Sequence, residues 1–236
     1  MFKPSRSSLA SILLLTLSAA PVLAASAVTG TVTYTGKVPA LKPIDMNADP
    51  ACASKHTTPQ PSDVLVLGPG NTMGNVMVRV KSAVTGTFAA PATPVVIDQK
   101  GCHYSPHVVG VMVNQTLQLR NSDGLLHNVH ALPKVNAPFN MAMPANRTEA
   151  DTKFGKEEGM FLVKCDVHGW MTSYVGVFSN PYFAVTGPDG KFTISGLAPG
   201  TYELEAWHEK LGTKTATVTV TAAGGKTDFA FAPPGS

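Results

Sequence analysis

Cys165-Asp166-Val167-His168-Gly169-Trp170-Met171, read with Leu126-His127-Asn128-Val129-His130 upstream of it, decides how this chain is interpreted. A thiolate, an imidazole and a thioether in the order Cys-x2-His-x2-Met fit on one loop between two strands, and such a loop can turn all three donors toward one point. A second imidazole, His127, then has to arrive from a neighbouring strand, which two face-to-face sheets permit. Two imidazoles and one thiolate with a thioether at a weak axial position form the donor set that suits copper in electron transfer. Zinc accepts Cys and His as well, but a thioether is a poor zinc ligand, and zinc sites favour more thiolates or a carboxylate. The expected ligands are therefore His127, Cys165, His168 and Met171, and the expected metal is one copper ion.

The composition around this pattern is that of a folded all-β chain. The sequence has 236 residues, 44% hydrophobic and 14% charged, which is enough apolar material for a packed core and excludes disorder as the main description. Eighteen Lys and Arg against 15 Asp and Glu give a net charge of +3, too small a footprint for a nucleic-acid partner. With 21 Gly and 19 Pro and few helix-period runs, the chain reads as many short strands joined by turns. Lys3 and Arg6 precede a short apolar run from Leu9 to Ala20, with small residues after it. That is the grammar of a cleaved signal peptide over residues 1–27, and the run is too short for a bilayer span. No later segment approaches such a span, so a periplasmic or secreted protein is expected.

Cysteines in an oxidising compartment usually pair, yet there are three. Cys52 lies in the loop Asp49-Pro50-Ala51-Cys52 and Cys102 at a Gly-flanked strand edge. The simplest allocation joins Cys52 to Cys102 and leaves Cys165 free for chemistry. Cys52, His56, Cys102, His103 and His107 would satisfy a second metal on ligand count alone. Against it, Pro106 redirects the chain between His103 and His107, and the disulfide takes both thiolates.

From Val95 to Phe178 the sequence resembles the cupredoxins, the blue copper proteins of the plastocyanin and amicyanin type. The matching stretches are Val95-Val96-Ile97-Asp98, Tyr104-Ser105-Pro106, Val111 to Leu119, Asn121-Ser122-Asp123, His127-Asn128-Val129-His130, Gly159-Met160-Phe161 and the Cys165 loop. The resemblance implies a Greek-key β-sandwich with one type 1 copper, His127 and His168 as equatorial nitrogens, Cys165 as thiolate and Met171 as axial sulfur. It also implies that Asn128 braces the ligand loop through hydrogen bonds. Gly169 departs from the pattern, which often has Pro there. Electrons are expected to pass through the exposed edge of His168, in an apolar patch with Gly169 and Trp170, to a c-type cytochrome or a dehydrogenase. His130, three residues beyond His127 on a strand, faces the opposite side and reads as a surface residue. Met141 and Met143 could rim the metal, although Met more often fills gaps.

The flanks carry a second pattern. Gly30 to Gly36, Asn75 to Val80, Val185 to Ile194, Gly196 to Trp207 and Thr215 to Val220 alternate as strands do, with Asp189-Gly190 as a hairpin signal and Pro199-Gly200 as another turn. These landmarks resemble the carboxypeptidase regulatory-like β-sandwich. The expected organisation is residues 28–90 and 181–236 as two parts of that sandwich, with a cupredoxin unit at 91–180 inserted between them; two tandem domains are the alternative. Four protein ligands leave copper no open position for substrate. The chain also lacks paired carboxylates, a Ser/His/Asp set and a phosphate-binding Gly loop. A single-electron carrier, not an enzyme, is expected. The alternative is a copper-binding or storage protein without a redox partner.

Overall fold

A computed structural model describes residues 26–233. The expected signal peptide lies outside these residues except at its end: Ser26 and Ala27 already pair with Leu197 and Ser195, so the first strand starts two residues inside the 1–27 segment. In chain order the strands are β1 (Ser26–Tyr34), β2 (Met77–Val80), β3 (Val95–Gln99), β4 (Tyr104–Ser105), β5 (Val108–Met112), β6 (Leu117–Asn121), β7 (His127–Ala131), β8 (Phe139–Met143) and β9 (Glu149–Thr152). There follow β10 (Glu158–Lys164), β11 (Thr172–Phe178), β12 (Phe183–Val185), β13 (Lys191–Leu197), β14 (Gly200–His208), β15 (Gly212–Val220), β16 (Gly225–Lys226) and β17 (Phe229–Phe231). Among the described residues one short α-helix, α1, spans Pro50–Ala53. The protein is all-β.

The strands pair into four sheets, and along them the side chains alternate in burial with period 2. In β6, Leu117, Leu119 and Asn121 face inward while Gln118 and Arg120 do not; in β13, Phe192, Ile194 and Leu197 are buried between exposed polar residues. The middle of the sequence supplies one sheet in the order β5-β11-β10-β7-β8 and a second in the order β4-β3-β6-β9. Their apolar faces enclose one core, with Ile97, Leu117, Leu119, Val129, Phe161 and Val175 among its buried members. The two ends of the sequence supply the other pair: β13-β1-β16, with β17 also on β1, and β12-β2-β14-β15. These enclose a separate core that includes Val32, Val78, Ile194, Leu204 and Phe231.

Two local expectations change. Asp189-Gly190 does form a turn, with Gly190 at φ +68 and its N–H bonded to the carbonyl of Gly187. It makes no hairpin, because β12 pairs with β2 while β13 pairs with β1, and the turn carries the chain from one sheet to the other. A residue with a Cβ at position 190 would meet the Val32 carbonyl at 2.5 Å. Residues 44–53, expected with the flanking sandwich, pack through Ile44, Met46, Cys52 and Ala53 onto the core of the middle sheets instead.

The two pairs of sheets meet at a small apolar seam of Met77, Val108 and Phe178, with Phe183 and Trp207 against it. Beside it lies a buried polar contact. His107 Nε2 is 2.6 Å from Glu209 Oε1, and the Tyr174 hydroxyl donates to Glu209 Oε2 at 3.1 Å.

Candidate metal centre

Strand β7 opens on His127, and its first three residues are all buried, a break in the usual alternation. The reason is Asn128. Its Oδ1 accepts from the backbone N–H of Asp166, its Nδ2 donates to Asn140 Oδ1, and its carbonyl receives the Tyr104 hydroxyl, so a polar side chain is held inward against the loop between β10 and β11. That loop is closed by its own backbone: Cys165 N–H donates to the Met171 carbonyl at 3.1 Å and Met171 N–H to the His168 carbonyl at 2.9 Å. The His168 N–H points at Cys165 Sγ, 3.4 Å away. Tight turning of seven residues brings Cys165, His168 and Met171 inward, and all three are buried.

The inner face of the site is a ring of electron-pair donors. His127 Nδ1 and His168 Nδ1 are 2.9 Å apart, Cys165 Sγ is 3.8 Å from His168 Nδ1, and the three ligand atoms lie within 4.8 Å of one another. The outer nitrogens are both occupied. His127 Nε2 is 2.9 Å from Asp123 Oδ2, and His168 Nε2 is 2.9 Å from Asp49 Oδ2. A carboxylate can only accept, so each Nε2 carries a proton and each Nδ1 is left with its lone pair. Two lone pairs at 2.9 Å beside a thiol sulfur repel unless a positive charge, a proton or a metal ion, sits among them.

The titration of these groups follows from the same contacts. Burial pushes the Cys165 thiol up, but His127 and the backbone N–H groups of Asn128, His168 and Val167 outweigh it and bring it to about 7. Burial pulls His127 down, while Asp123 and Cys165 raise it to about 9. Asp123 is held well below the usual carboxylate range: burial opposes this, and His127 with the N–H groups of Cys102 and Gly101 overcomes it.

Asp123 sits in a small anion nest. The turn before β4 passes through the left-handed region at Gly101 (φ +64) and Cys102 (φ +54), which aims two successive N–H groups at the carboxylate, 2.7 and 2.8 Å away. Asp49 comes from the N-cap of α1, where its Oδ1 accepts from Ala51 N–H and leaves Oδ2 for His168. Cys52, inside α1, is disulfide-bonded to Cys102, and Cys165 is the free thiol. Two further groups, Asp49 with Cys52 and His168, and Cys102 with Asp123 and His127, lie close enough to hold a metal. Each has its sulfur committed to the disulfide, and each is the outer side of an imidazole already described.

The structure thus gathers His127, Cys165 and His168 at one place, with Met171 buried on the same loop and Asn128 bonded to that loop. It corrects one expectation directly: His168 is 2% exposed, and its outer edge is covered by Asp49 and Cys52 rather than open to solvent. Gly169 is exposed and Trp170 half-buried. His130 lies at the surface and bonds Asp166. Met143 is fully buried in the core and Met141 packs against it. Among the described residues those of the second candidate site form no metal-binding group, although Cys52 and Cys102 are bonded and the His56 and His103 rings meet edge to face at 5.8 Å. His56 binds the Gly101 carbonyl, His103 faces Asp63 and His107 faces Glu209. Asp49 and Asp123 were missed by ligand-type reasoning. Asp49 followed by Pro50 is a helix-start signature that reads as plain loop when the helix is only four residues long.

One family model matches, polysaccharide lyase family 4, domain II, over residues 155–229, rather than a carboxypeptidase regulatory-like domain. The match runs from β10 at the metal centre to β17. No curated protein matches the sequence. Among solved structures the chain is similar to the copper-containing nitrite reductase from Thermus scotoductus SA-01, at 19% identity and a TM-score of 0.35, over 42% of this chain and 25% of that one. A Cu(I) variant of amicyanin aligns at 21% identity and a TM-score of 0.32, over 42% of this chain and 97% of that one. The purple cupredoxin from Nitrosopumilus maritimus aligns at 21% identity and a TM-score of 0.30, over 36% and 97% respectively. The chain spans a quarter of the length of the nitrite reductase.

Proposed function

We propose that this protein binds one copper ion at His127, Cys165, His168 and Met171 and carries single electrons between redox partners. The observation that carries the reading is the convergence of two carboxylate-braced imidazoles and a low-lying thiol on one point, where their lone pairs need a cation. Copper bound there supplies one-electron Cu(II)/Cu(I) chemistry. The protein does the rest. Asp123 and Asp49 fix which ring nitrogens face inward, Asn128 and the backbone bonds of the loop hold Cys165 in place, and burial of all four ligands excludes water.

A site prearranged in this way suits both oxidation states without rearrangement. In this reading the cupredoxin-like unit is the segment between residues 91 and 180, inserted in the flanking sandwich. The location is exported and periplasmic, which the native disulfide supports, since such bonds persist in oxidising compartments. Among the described residues no helix is long and apolar enough to cross a membrane. The partner is a c-type cytochrome or a dehydrogenase of the same compartment.

The burial of His168 favours a second reading, a copper-binding or storage protein with no redox partner. Reversible electron exchange separates the two, because a storage site has no need to accept and return an electron quickly. The direct test of the copper centre is the visible spectrum of Cu(II)-loaded protein. An intense thiolate-to-copper band should be present, vanish in Cys165→Ser and persist in Met171→Leu with a raised reduction potential. A colourless Cu(II) complex, or a band that survives loss of the thiol, refutes the site.

A further inference from the structure

The turn that carries α1 lies across the outer side of both ligand imidazoles. Asp49 Oδ2 holds His168 Nε2 at 2.9 Å, and Cys52 Sγ lies 3.5 Å from the same nitrogen. Lys55 Nζ reaches the Asp123 carbonyl at 3.0 Å and its carboxylate at 3.3 Å, and that carboxylate holds His127. The turn is fixed at its centre by the Cys52–Cys102 bond, and Cys102 in turn belongs to the nest that holds Asp123. One short segment far upstream in the sequence therefore seals the edge of the site that a partner would otherwise touch.

A different side chain connects the ligands with the surface. The Trp170 ring lies 5.1 Å from the His168 ring, centroid to centroid, at an interplanar angle of 46°. Trp170 is half-buried, and its indole N–H is anchored on the Cys102 carbonyl at 3.1 Å. The loop around it is open, with Gly169 exposed and Val167 49% exposed.

We propose that the Asp49–Lys55 turn is a disulfide-anchored cap that removes His168 from partner contact, and that Trp170 is the side chain through which a redox partner reaches the ligand set. The second half rests on the electron-carrier reading; the first does not. Asp49 is then a positioning residue for His168. In the exchange envisaged, a one-electron acceptor gains the electron that the reduced centre loses, and no bond or proton moves.

Two measurements use metal-free protein, the first to test the cap and the second to test the exposure of the port. Carbethoxylation with diethyl pyrocarbonate, mapped by mass spectrometry, should modify His130 and spare His168, and Asp49→Ala should bring His168 into reach. In a Trp207→Phe background, which leaves Trp170 as the lone tryptophan of the two in the chain, acrylamide should quench the emission. For the port, copper-loaded and reduced protein is mixed with a tris-phenanthroline cobalt(III) complex. Trp170→Leu should slow oxidation several-fold with the Cu(II) spectrum of the reoxidised protein unchanged, and Trp170→Phe should restore most of the rate. Ready modification of His168 in the unmutated protein overturns the cap. An unchanged rate in Trp170→Leu, or an emission that acrylamide cannot reach, overturns the port. If the loaded protein is colourless or does not exchange electrons, the carrier reading fails and the port with it, while the modification of His168 still decides the cap.

Discussion

Asp123 offers the sharpest test of how the centre is held, because its two oxygens have separable jobs. Oδ2 accepts from His127 Nε2 at 2.9 Å and from Cys102 N–H at 2.8 Å; Oδ1 accepts from Gly101 N–H at 2.7 Å and faces Lys55 Nζ at 3.3 Å. Its side chain is 2% exposed, so each donor it satisfies is cut off from bulk water. Asp123→Ala strands three donors, and a buried unsatisfied donor costs about 1–3 kcal/mol, so after some water enters the vacated space the metal-free protein should lose about 4 kcal/mol. With the brace gone, His127 is free to carry its proton on the inner nitrogen, and copper affinity should fall by about 10- to 100-fold. Asp123→Asn behaves differently. The amide can keep its oxygen toward His127 and Cys102 and turn its NH2 toward Gly101 and Lys55, which sacrifices a single buried bond. The expected loss is about 1–3 kcal/mol of stability with copper affinity nearly kept. Urea unfolding of the metal-free forms gives the first quantity, and competition with a chromophoric chelator gives the second. Equal copper affinities in the Asn and Ala variants, or an Ala variant that unfolds with the parent, would refute the division of labour between the two oxygens.

The disulfide closes a loop of 50 residues, so replacing Cys52 and Cys102 by Ala should lower stability by about 4 kcal/mol in urea at neutral pH. Non-reducing peptide maps should recover Cys52 joined to Cys102 and Cys165 as a free thiol. His208 is buried beside Phe231, and burial pulls its imidazole from 6.5 to about 4. The unfolded chain then binds a proton that the folded one refuses. The associated stability is full above pH 6.5 and drains away as pH falls toward 4, by up to about 3 kcal/mol at roughly 1.4 kcal/mol per pH unit. The difference in urea midpoint between the parent and His208→Leu should follow that window, and a constant difference across it would show that His208 is not the group responsible.

The approach of Cys165 to His168 was legible because its information is local: two donors three residues apart on one tight loop fix their own spacing. The disulfide was legible by elimination, since only Cys165 opens an ordered Cys-x2-His-x2-Met run of ligand types. The strands declared themselves by alternation, as in Lys191–Leu197 and Leu117–Asn121. What escaped were facts that depend on which distant segment closes over which. Nothing near Asp49 signals that it meets His168, because the contact is made by the path of residues 44–53 over the middle sheets. His168 looked exposed for the same reason: a solvent-facing position on a bare sandwich becomes a buried one when a remote turn is pinned above it. Asp189-Gly190 kept its local geometry and lost its expected role, since turn chemistry sets the bend and tertiary pairing chooses the strands on either side.

The compactness of the loop between β10 and β11 also bears on the denatured chain. Cys165, His168 and Met171 remain neighbours in sequence when every strand has melted, so an unfolded molecule keeps three of the four donors within reach of one ion. A ligand that binds both states shifts the folding equilibrium only by the ratio of its two affinities. Copper would therefore protect this protein against unfolding by less than its grip on the native site implies, and the surplus would be what His127, braced by Asp123, adds once β7 is in place.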